Sequence, residues 1–249
     1  MKVLLTGGSG NLGQTLVPKL LDRGDAPVIL DARAPRHLKE GALFIEGSIL
    51  DRPRLTEIFR GCDCIVHIAA WHGIHEDRGE KSAYDFFDLN VRGTFEVFEV
   101  AASLGIDKVV FISTTSVYRP DTLYGRSKIL AELIAEDYRK HRHMNVVTLR
   151  PRGFIPHWDR DVYTRYSDWA RWFWKGAVHI DDVAAAVILS LDLISRGNPD
   201  SNSPLRSIAP MNIPMPISLA GTTRAQARHS GNTIPNIAIS RSPTGSIQR

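Results

Sequence analysis

The chain has 249 residues, of which 43% are hydrophobic and 23% charged, values typical of one large soluble domain or a domain with a small appendage. They exclude a wholly disordered or collagen-like protein, and the two cysteines are too few for a disulfide-stapled one. No apolar run approaches the roughly 18 residues of a membrane span, and the first residues lack a signal-peptide core. We therefore expect a cytoplasmic protein that does not bind a membrane.

The net charge of +4 lies in the C-terminal segment 197–249, which carries five arginines and a single acid, Asp200. This segment is rich in Pro, Ser and Gly and has no Phe, Trp or Tyr. Such a composition buries too little apolar surface to offset chain entropy. The sequence therefore predicts a domain over residues 1–196 and a basic, disordered tail. Because the domain itself is neutral, we expect no nucleic-acid partner; a basic interaction arm is the alternative.

Short apolar runs alternate with helical patterns over residues 1–196, which predicts βαβ units and a parallel α/β sheet. The predicted strands are 2–6, 27–31, 42–46, 64–69, 108–113 and 145–149. The predicted helices are 11–23, 52–59, 84–104, 124–141 and 181–195. Pro18 is expected to kink or locally open the first helix.

Cys62 and Cys64 stand at the start of a predicted buried strand. A zinc site would need more soft ligands nearby. We therefore expect two reduced core residues that neither pair nor bind a metal.

A glycine-rich turn, residues 6–13 (TGGSGNLG), connects the first predicted strand with the first predicted helix. Gly7 suits the tight turn, Gly10 lets the backbone approach a pyrophosphate, and Gly13 allows close helix packing. The helix N-terminus adds amide donors and positive potential. The turn therefore predicts a dinucleotide site, with a merely structural turn as the alternative.

Asp31 ends the second predicted strand, about 20 residues after the turn. A carboxylate at this place binds a ribose diol and repels a 2′-phosphate. Asp31 therefore favours NAD over NADP. Arg33 and Arg36 follow closely in the sequence, so NADP is the alternative cofactor.

Tyr124 and Lys128 are four residues apart in a predicted helix and so share one face. A neighbouring ammonium favours the phenolate, so the pair can poise a proton donor or acceptor. Residues 113–116 (STTS) close the preceding strand and can offer a hydroxyl at the same sheet edge. An exposed helix face is the alternative explanation of the spacing.

Together these motifs resemble the extended short-chain dehydrogenases/reductases of the NAD-dependent epimerase/dehydratase family. The resemblance covers about residues 1–190, and the matching pieces occur in the family's order. They are 6–13, Asp31, 47–51 (GSILD), 67–70 (HIAA), 90–94 (NVRGT), 113–118, 124–128, 149–151 (LRP) and 179–183 (HIDDV).

The resemblance implies a Rossmann-type doubly wound parallel sheet and a catalytic set of Thr114, Tyr124 and Lys128. Tyr124 takes the place of the family's general acid/base, and Lys128 that of the ribose ligand that lowers the Tyr124 pKa. The implied cofactor site, with no metal, consists of Gly7, Gly10, Asn11, Leu12, Gly13, Asp31, Ser48, Ile49, Ala69, Ala70, Asn90, Tyr124, Lys128 and Pro151.

Two members of the implied cofactor site are open to another interpretation. Ser48 stands where the family usually has Asp, which weakens the implied adenine contact. Asn90 also fits a structural amide inside its helix.

The implied activity is that of an NAD-dependent epimerase or dehydratase acting on a sugar or nucleotide sugar, with UDP-sugar 4-epimerisation as the leading specific hypothesis. A dehydrogenase of a free sugar acid, similar to the uronate dehydrogenases, is the runner-up. A catalytically weak NAD-binding protein is the third hypothesis. Helix-paired dimers are common in the family, so the predicted helices 84–104 and 124–141 are the candidate homodimer interface.

Besides Ser48, and a tail after Arg196 that lacks the strand-rich ending expected of the family, the chain is shorter than the family at two places. Thr114 and Tyr124 are only ten residues apart, a shorter connection than usual that removes substrate-binding surface. Residues from about 152 to 178 stand where the family has a fuller substrate-binding region. We therefore expect a short lid here, that is, a C-terminal substrate region smaller than that of the family.

The predicted lid is rich in aromatic residues that either hold a sugar ring or simply cover the core. They are Trp158, Tyr163, Tyr166, Trp169, Trp172, Phe173 and Trp174. His157, Arg160 and Arg165 could meet a substrate carboxylate, although solvated surface groups are the simpler explanation.

Overall fold

The computed structural model describes residues 1–118 and 120–196. The predicted basic tail, residues 197–249, lies outside the described residues, and its disorder stays a prediction. Among the helices of the two described ranges, none is long and apolar enough to cross a membrane.

Six parallel strands form one sheet in the order β3-β2-β1-β4-β5-β6. They are β1 (Lys2–Thr6), β2 (Ala26–Asp31), β3 (Leu43–Glu46), β4 (Cys64–His67), β5 (Lys108–Ile112) and β6 (Asn145–Leu149). This is the Rossmann order, in which the winding direction reverses between β1 and β4. Ligands bind such sheets at the carboxyl edge beside this point, where Thr6 and His67 end their strands in register.

Helices cover both faces of the sheet. They are α1 (Asn11–Asp22), α2 (Arg52–Phe59), α3 (Gly73–Asp77), α4 (Ala83–Phe86), α5 (Gly93–Ser103), α6 (Leu123–His141), α7 (Tyr166–Phe173) and α8 (Ile180–Ser195). Helices α1 and α8 pack on one face, and α2, α5 and α6 on the other. Between β6 and α8 the described chain has only one helix, α7.

The strands are buried on both faces, which explains why they read as continuous apolar runs. In β1, Leu4 packs into the core under α2, α5 and α6, whereas Val3 and Leu5 pack into the core under α1 and α8. Cys62 and Cys64 are free and buried, one in each core, as predicted.

All six predicted strands are present, and the predicted Rossmann-type fold is confirmed. Helix α1 continues through Pro18 without interruption. The helix predicted over 84–104 is divided, because a π-helical segment, Phe87–Arg92, joins α4 to α5. Helices α3 and α7 are not among the predicted elements.

Candidate cofactor and catalytic site

The turn between β1 and α1 has the shape of a phosphate-binding loop. Gly7 has φ +69°, and a Cβ at this residue would lie 2.7 Å from the Ala69 backbone. Only glycine therefore fits between the β1 turn and the loop that follows β4. Gly10 is the N-cap of α1, and Gly13 packs directly on the Gly8 carbonyl.

Several donors at this turn have no acceptor among the described residues. They include the amides of Asn11, Leu12 and Gly13 in the first turn of α1 and the buried hydroxyl of Ser9. A buried polar atom without a partner is rare in a folded protein. Free amides at a helix N-terminus attract anions, so this cradle fits the pyrophosphate of a dinucleotide.

Asp31 lies beside the same turn at the end of β2. Its Oδ2 accepts a hydrogen bond from the Ser9 amide (3.0 Å) and its Oδ1 one from the Arg33 amide (3.1 Å). Each carboxylate oxygen keeps a second lone pair, so Asp31 can still bind a ribose diol. Arg36, one of the two arginines that made NADP an alternative, forms an ion pair with Asp161 (2.6 Å).

The other predicted cofactor residues follow β3, β4 and β6 at the same edge. The Ser48 hydroxyl accepts the Leu50 amide (3.2 Å), so it is partly engaged in its own turn. The Ile49 side chain is buried under α5, which leaves only its backbone to face a ligand. Ala70 extends the loop after β4, and the carbonyl of Pro151 accepts the Thr115 amide (3.1 Å).

Tyr124 and Thr114 meet at this edge, although the connection between them is short. The Tyr124 phenol is partly buried, and loss of water raises its pKa to about 12 against the opposing effect of the neighbouring Thr114 hydroxyl. Lys128, one turn further along α6, is buried, and burial lowers its pKa to about 7.

In the chain by itself the Tyr124 pKa lies above its ordinary value, and Lys128 is not among the groups that shift it, so the implied lowering by Lys128 stays a prediction. Burial disfavours both the phenolate and the ammonium, so loss of water outweighs any attraction between the two. At neutral pH Tyr124 holds a proton, and Lys128 is the group that titrates.

An ion pair lies behind Lys128. Glu132, one helical turn further, opposes the effect of burial on the Lys128 pKa. Arg150 binds the Glu132 carboxylate with two nitrogens (2.6 and 2.9 Å), and the Ser113 hydroxyl donates to it as well. The Lys128 ammonium itself lies 4.5 Å from the centre of the Phe111 ring.

Asn90 lies in the π-helical segment and is buried, with its amide fully engaged by the protein. Its Oδ1 accepts the Trp71 amide, and its Nδ2 donates to the Trp71 carbonyl (2.8 Å each) and to the Ser127 hydroxyl (2.9 Å). These bonds match the alternative of a structural amide. A direct cofactor contact by Asn90 stays a prediction.

A second buried network connects the end of β1 with the same π-helical segment. Thr94 donates its hydroxyl proton to the Asn90 carbonyl (2.6 Å), so His67 Nε2 must donate to Thr94 Oγ1 (3.0 Å). His67 Nδ1 then accepts from Thr6 Oγ1 (2.7 Å). Burial lowers the His67 pKa to about 3, which keeps the imidazole neutral.

The aromatic rings of the lid pack mainly on one another. Trp169 is buried, stacks on Phe173 with ring centres 4.9 Å apart, and donates its indole N–H to the Ile155 carbonyl (2.8 Å). His157 packs against Trp169, and Arg165 pairs with Asp168 (2.7 Å). Tyr166 and Trp174 remain exposed, by 62% and 78%, so the choice between a sugar-binding and a core-covering role stays open.

The lid also contacts the start of α1. Asp159 is almost completely buried, and its carboxylate accepts a 2.6 Å hydrogen bond from the Asn11 side chain. Neither Asp159 nor this contact has a signal in the sequence, because the two residues are 148 positions apart.

The Rossmann sheet, the glycine turn with its free amides, and Tyr124 and the buried Lys128 at the same edge define a dinucleotide-binding protein of the short-chain dehydrogenase/reductase type. The model of the NAD dependent epimerase/dehydratase family matches residues 3–159. The chain belongs to this family, and the predicted NAD cofactor is confirmed at the level of the family.

Individual relatives differ in the reaction that their names describe. The UDP-glucose 4-epimerase of Streptococcus mutans is 28% identical over 184 residues, which are 62% of this chain and 55% of that protein. The L-arabinose 1-dehydrogenase of Haloferax volcanii is 28% identical, over 60% of this chain and 65% of that protein.

The solved structure of dTDP-glucose 4,6-dehydratase from Streptomyces venezuelae with NAD is similar to this chain, with a TM-score of 0.67. It is 26% identical, and the match covers 77% of this chain and 72% of that one. The chain spans about half the length of the curated epimerases that it matches.

Proposed function

We propose that this chain oxidises a sugar hydroxyl reversibly with NAD, and that 4-epimerisation of a UDP-sugar is its leading activity. The observation that carries the proposal is the Tyr124 phenol, beside Thr114 and one helical turn from the buried Lys128, at the sheet edge of the glycine turn. Epimerases among the relatives support the specific reaction.

The roles of the site residues follow from their placement. Thr114 orients the substrate oxygen, and Tyr124 gives or takes its proton. The raised Tyr124 pKa keeps the phenol protonated at neutral pH in the chain by itself, so taking a proton from the substrate requires that the phenolate be stabilised on binding. When bound, oxidised NAD supplies a hydride acceptor and a positive charge that favours the phenolate.

The cofactor cradle would hold NAD with the amides of Asn11 and Leu12 at its pyrophosphate and Asp31 at its adenosine ribose. Lys128 would bind the nicotinamide ribose, at the same carboxyl edge of the sheet but away from the glycine turn and Asp31. The Ser9 hydroxyl, buried without a partner in the described part of the chain, is a further donor for the pyrophosphate.

A dehydrogenase of a free sugar or sugar acid is the second candidate function. It is favoured by the short lid, which leaves little described surface for a nucleotide, and by the similarity to an L-arabinose dehydrogenase. The two functions differ in whether the oxidised sugar leaves or is reduced again on its other face.

A proton NMR time course of the purified full chain with NAD and a panel of UDP-sugars and free uronic acids tests the proposal. Interconverted sugars without NADH indicate an epimerase, and an oxidised sugar with equimolar NADH indicates the dehydrogenase. Tyr124→Phe should remove either activity and retain NAD binding. Bound NAD with no change in any sugar would leave the weak NAD-binding protein as the answer.

We also propose that the chain forms a homodimer through α5 and α6. Leu133, Leu130 and Phe95 on these helices are exposed by 62%, 42% and 40%. Apolar side chains grouped on one exposed face are typical of a protein interface.

A further inference from the structure

We propose that Glu76 is a positioning residue for Tyr124, an assignment whose catalytic part rests on the function proposed above. Glu76 lies on α3, in the segment after β4. Its carboxylate accepts the Leu123 amide at Oε1 (2.8 Å) and the Tyr124 amide at Oε2 (3.0 Å). It therefore binds the backbone of the candidate acid/base from an element 47 residues earlier in the chain.

Glu76 completes the N-terminus of α6. The first three amides of a helix have no partner inside it. The N-cap residue Thr122 takes the Gly125 amide (3.0 Å), and Glu76 takes the two before it. An ionised carboxylate suits this place, because it is an acceptor with two oxygens and its charge complements the helix dipole.

Helix α3 has contacts both with the π-helical segment and with α6. Asn90 binds the amide and the carbonyl of Trp71, just before α3. Within α3, Gly73 faces the Tyr124 ring, so that a Cβ there would lie 3.7 Å from Tyr124 Cδ1. The carboxylate of Glu76 is thus held against the start of α6 by its own helix.

Two contacts then set the rotation of α6 about its axis. Glu76 holds the amide of Tyr124, and Asn90 holds Ser127, whose hydroxyl donates to the Tyr124 carbonyl (2.8 Å). A rotation of α6 would move the phenol away from Thr114 and the Lys128 ammonium away from the cleft. Displacements of about 1 Å at reacting groups cost up to about 100-fold in rate.

The experiment compares Glu76→Gln and Glu76→Asp with Asp77→Asn, which removes the neighbouring, exposed carboxylate of α3. Glutamine keeps the size but offers one acceptor oxygen for two amides. We expect Glu76→Gln to lower kcat about tenfold, with the sugar KM and the NAD Kd unchanged, and Glu76→Asp to recover part of it. Asp77→Asn should behave as the parent.

Hydrogen exchange gives a readout that needs no substrate. The amides of Leu123 and Tyr124 should exchange about tenfold faster in Glu76→Gln than in the parent, with no change in β1 or β5. Unchanged exchange at these two amides, or a kcat equal to that of Asp77→Asn, would overturn the proposal. If exchange rises but the parent turns over no sugar, the positioning by Glu76 holds and the proposed activity fails.

Discussion

Lys128 is a cation in surroundings that disfavour its charge. It is 2% exposed, and burial lowers its pKa from 10.5 to about 7. Between these two pH values the unfolded chain binds the Lys128 proton and the folded chain does not. Stability is therefore lost as the pH falls from about 10.5, and the loss is complete below about 7.

We expect Lys128→Met to be more stable than the parent at pH 7, although it should lose activity. The change in pKa corresponds to about 5 kcal/mol of unfolding free energy. This value is an upper bound, because the Phe111 ring attracts the ammonium. The stabilisation should shrink towards zero near pH 10.5.

Urea denaturation at pH 7, 8.5 and 10 measures the effect of Lys128→Met. Lys175→Met removes an exposed lysine and reports the general effect of losing a positive charge. A Lys128→Met protein that is less stable than the parent at pH 7 would contradict the argument from burial.

The turn between β1 and α1 depends on Gly7 for two separate reasons, its positive φ and its contact with Ala69. Gly24, at the end of α1, shares the first reason only, because its φ is +77° and a Cβ there would meet no atom within 4 Å. The two glycines therefore form a matched pair. A left-handed backbone costs an alanine about 1–2 kcal/mol, so both substitutions carry this cost.

We expect Gly24→Ala to lower stability by about 1 kcal/mol and to leave NAD affinity unchanged. Gly7→Ala should be less stable than Gly24→Ala and should weaken NAD binding at least about tenfold, because the turn must move away from Ala69. Calorimetric titration with NAD and thermal unfolding distinguish the two variants. Equal NAD affinities would show that the contact with Ala69 does not shape the site.

The sequence predicts well those elements whose order of apolar and polar residues follows directly from which side chains are buried. The six strands read as apolar runs because both faces of the sheet are covered. The π-helical segment Phe87–Arg92 and the five-residue helix α3 could not be predicted in this way. Their stability comes from tertiary contacts, such as those of Asn90 and Glu76, that leave no local period.

The candidate site likewise has features that the sequence predicts and features that depend on tertiary contacts. The spacing and the family resemblance together located Tyr124 and Lys128, and the structure brings Tyr124 to Thr114 despite the short connection. Their pKa values could not be predicted, since burial is a property of the folded molecule. Glu76 and Asp159 escaped prediction because their partners lie 47 and 148 residues away.

At the scale of the whole molecule, the two helical layers differ in what they expose. On the α5 and α6 side, Leu133, Leu130 and Phe95 are exposed together with Phe87 at the end of the same layer. On the opposite side, Leu189 and Leu193 of α8 are exposed by 68% and 40%, a smaller set without an aromatic ring. The first set forms the proposed homodimer interface, so Leu133 and Leu189 offer the same residue type at similar exposure on opposite faces.

We expect the parent chain and Leu189→Glu to have the mass of a dimer by light scattering, and Leu133→Glu to have that of a monomer. In a symmetric pair each substitution occurs twice, so Leu133→Glu places two carboxylates in one apolar contact, where burial of unpaired charge is costly. NAD affinity should be the same in all three proteins, because the glycine turn and Asp31 lie at the sheet edge rather than on the outer face of α6. A monomeric parent, or a dimer lost only in Leu189→Glu, would assign the exposed face of α5 and α6 to another partner.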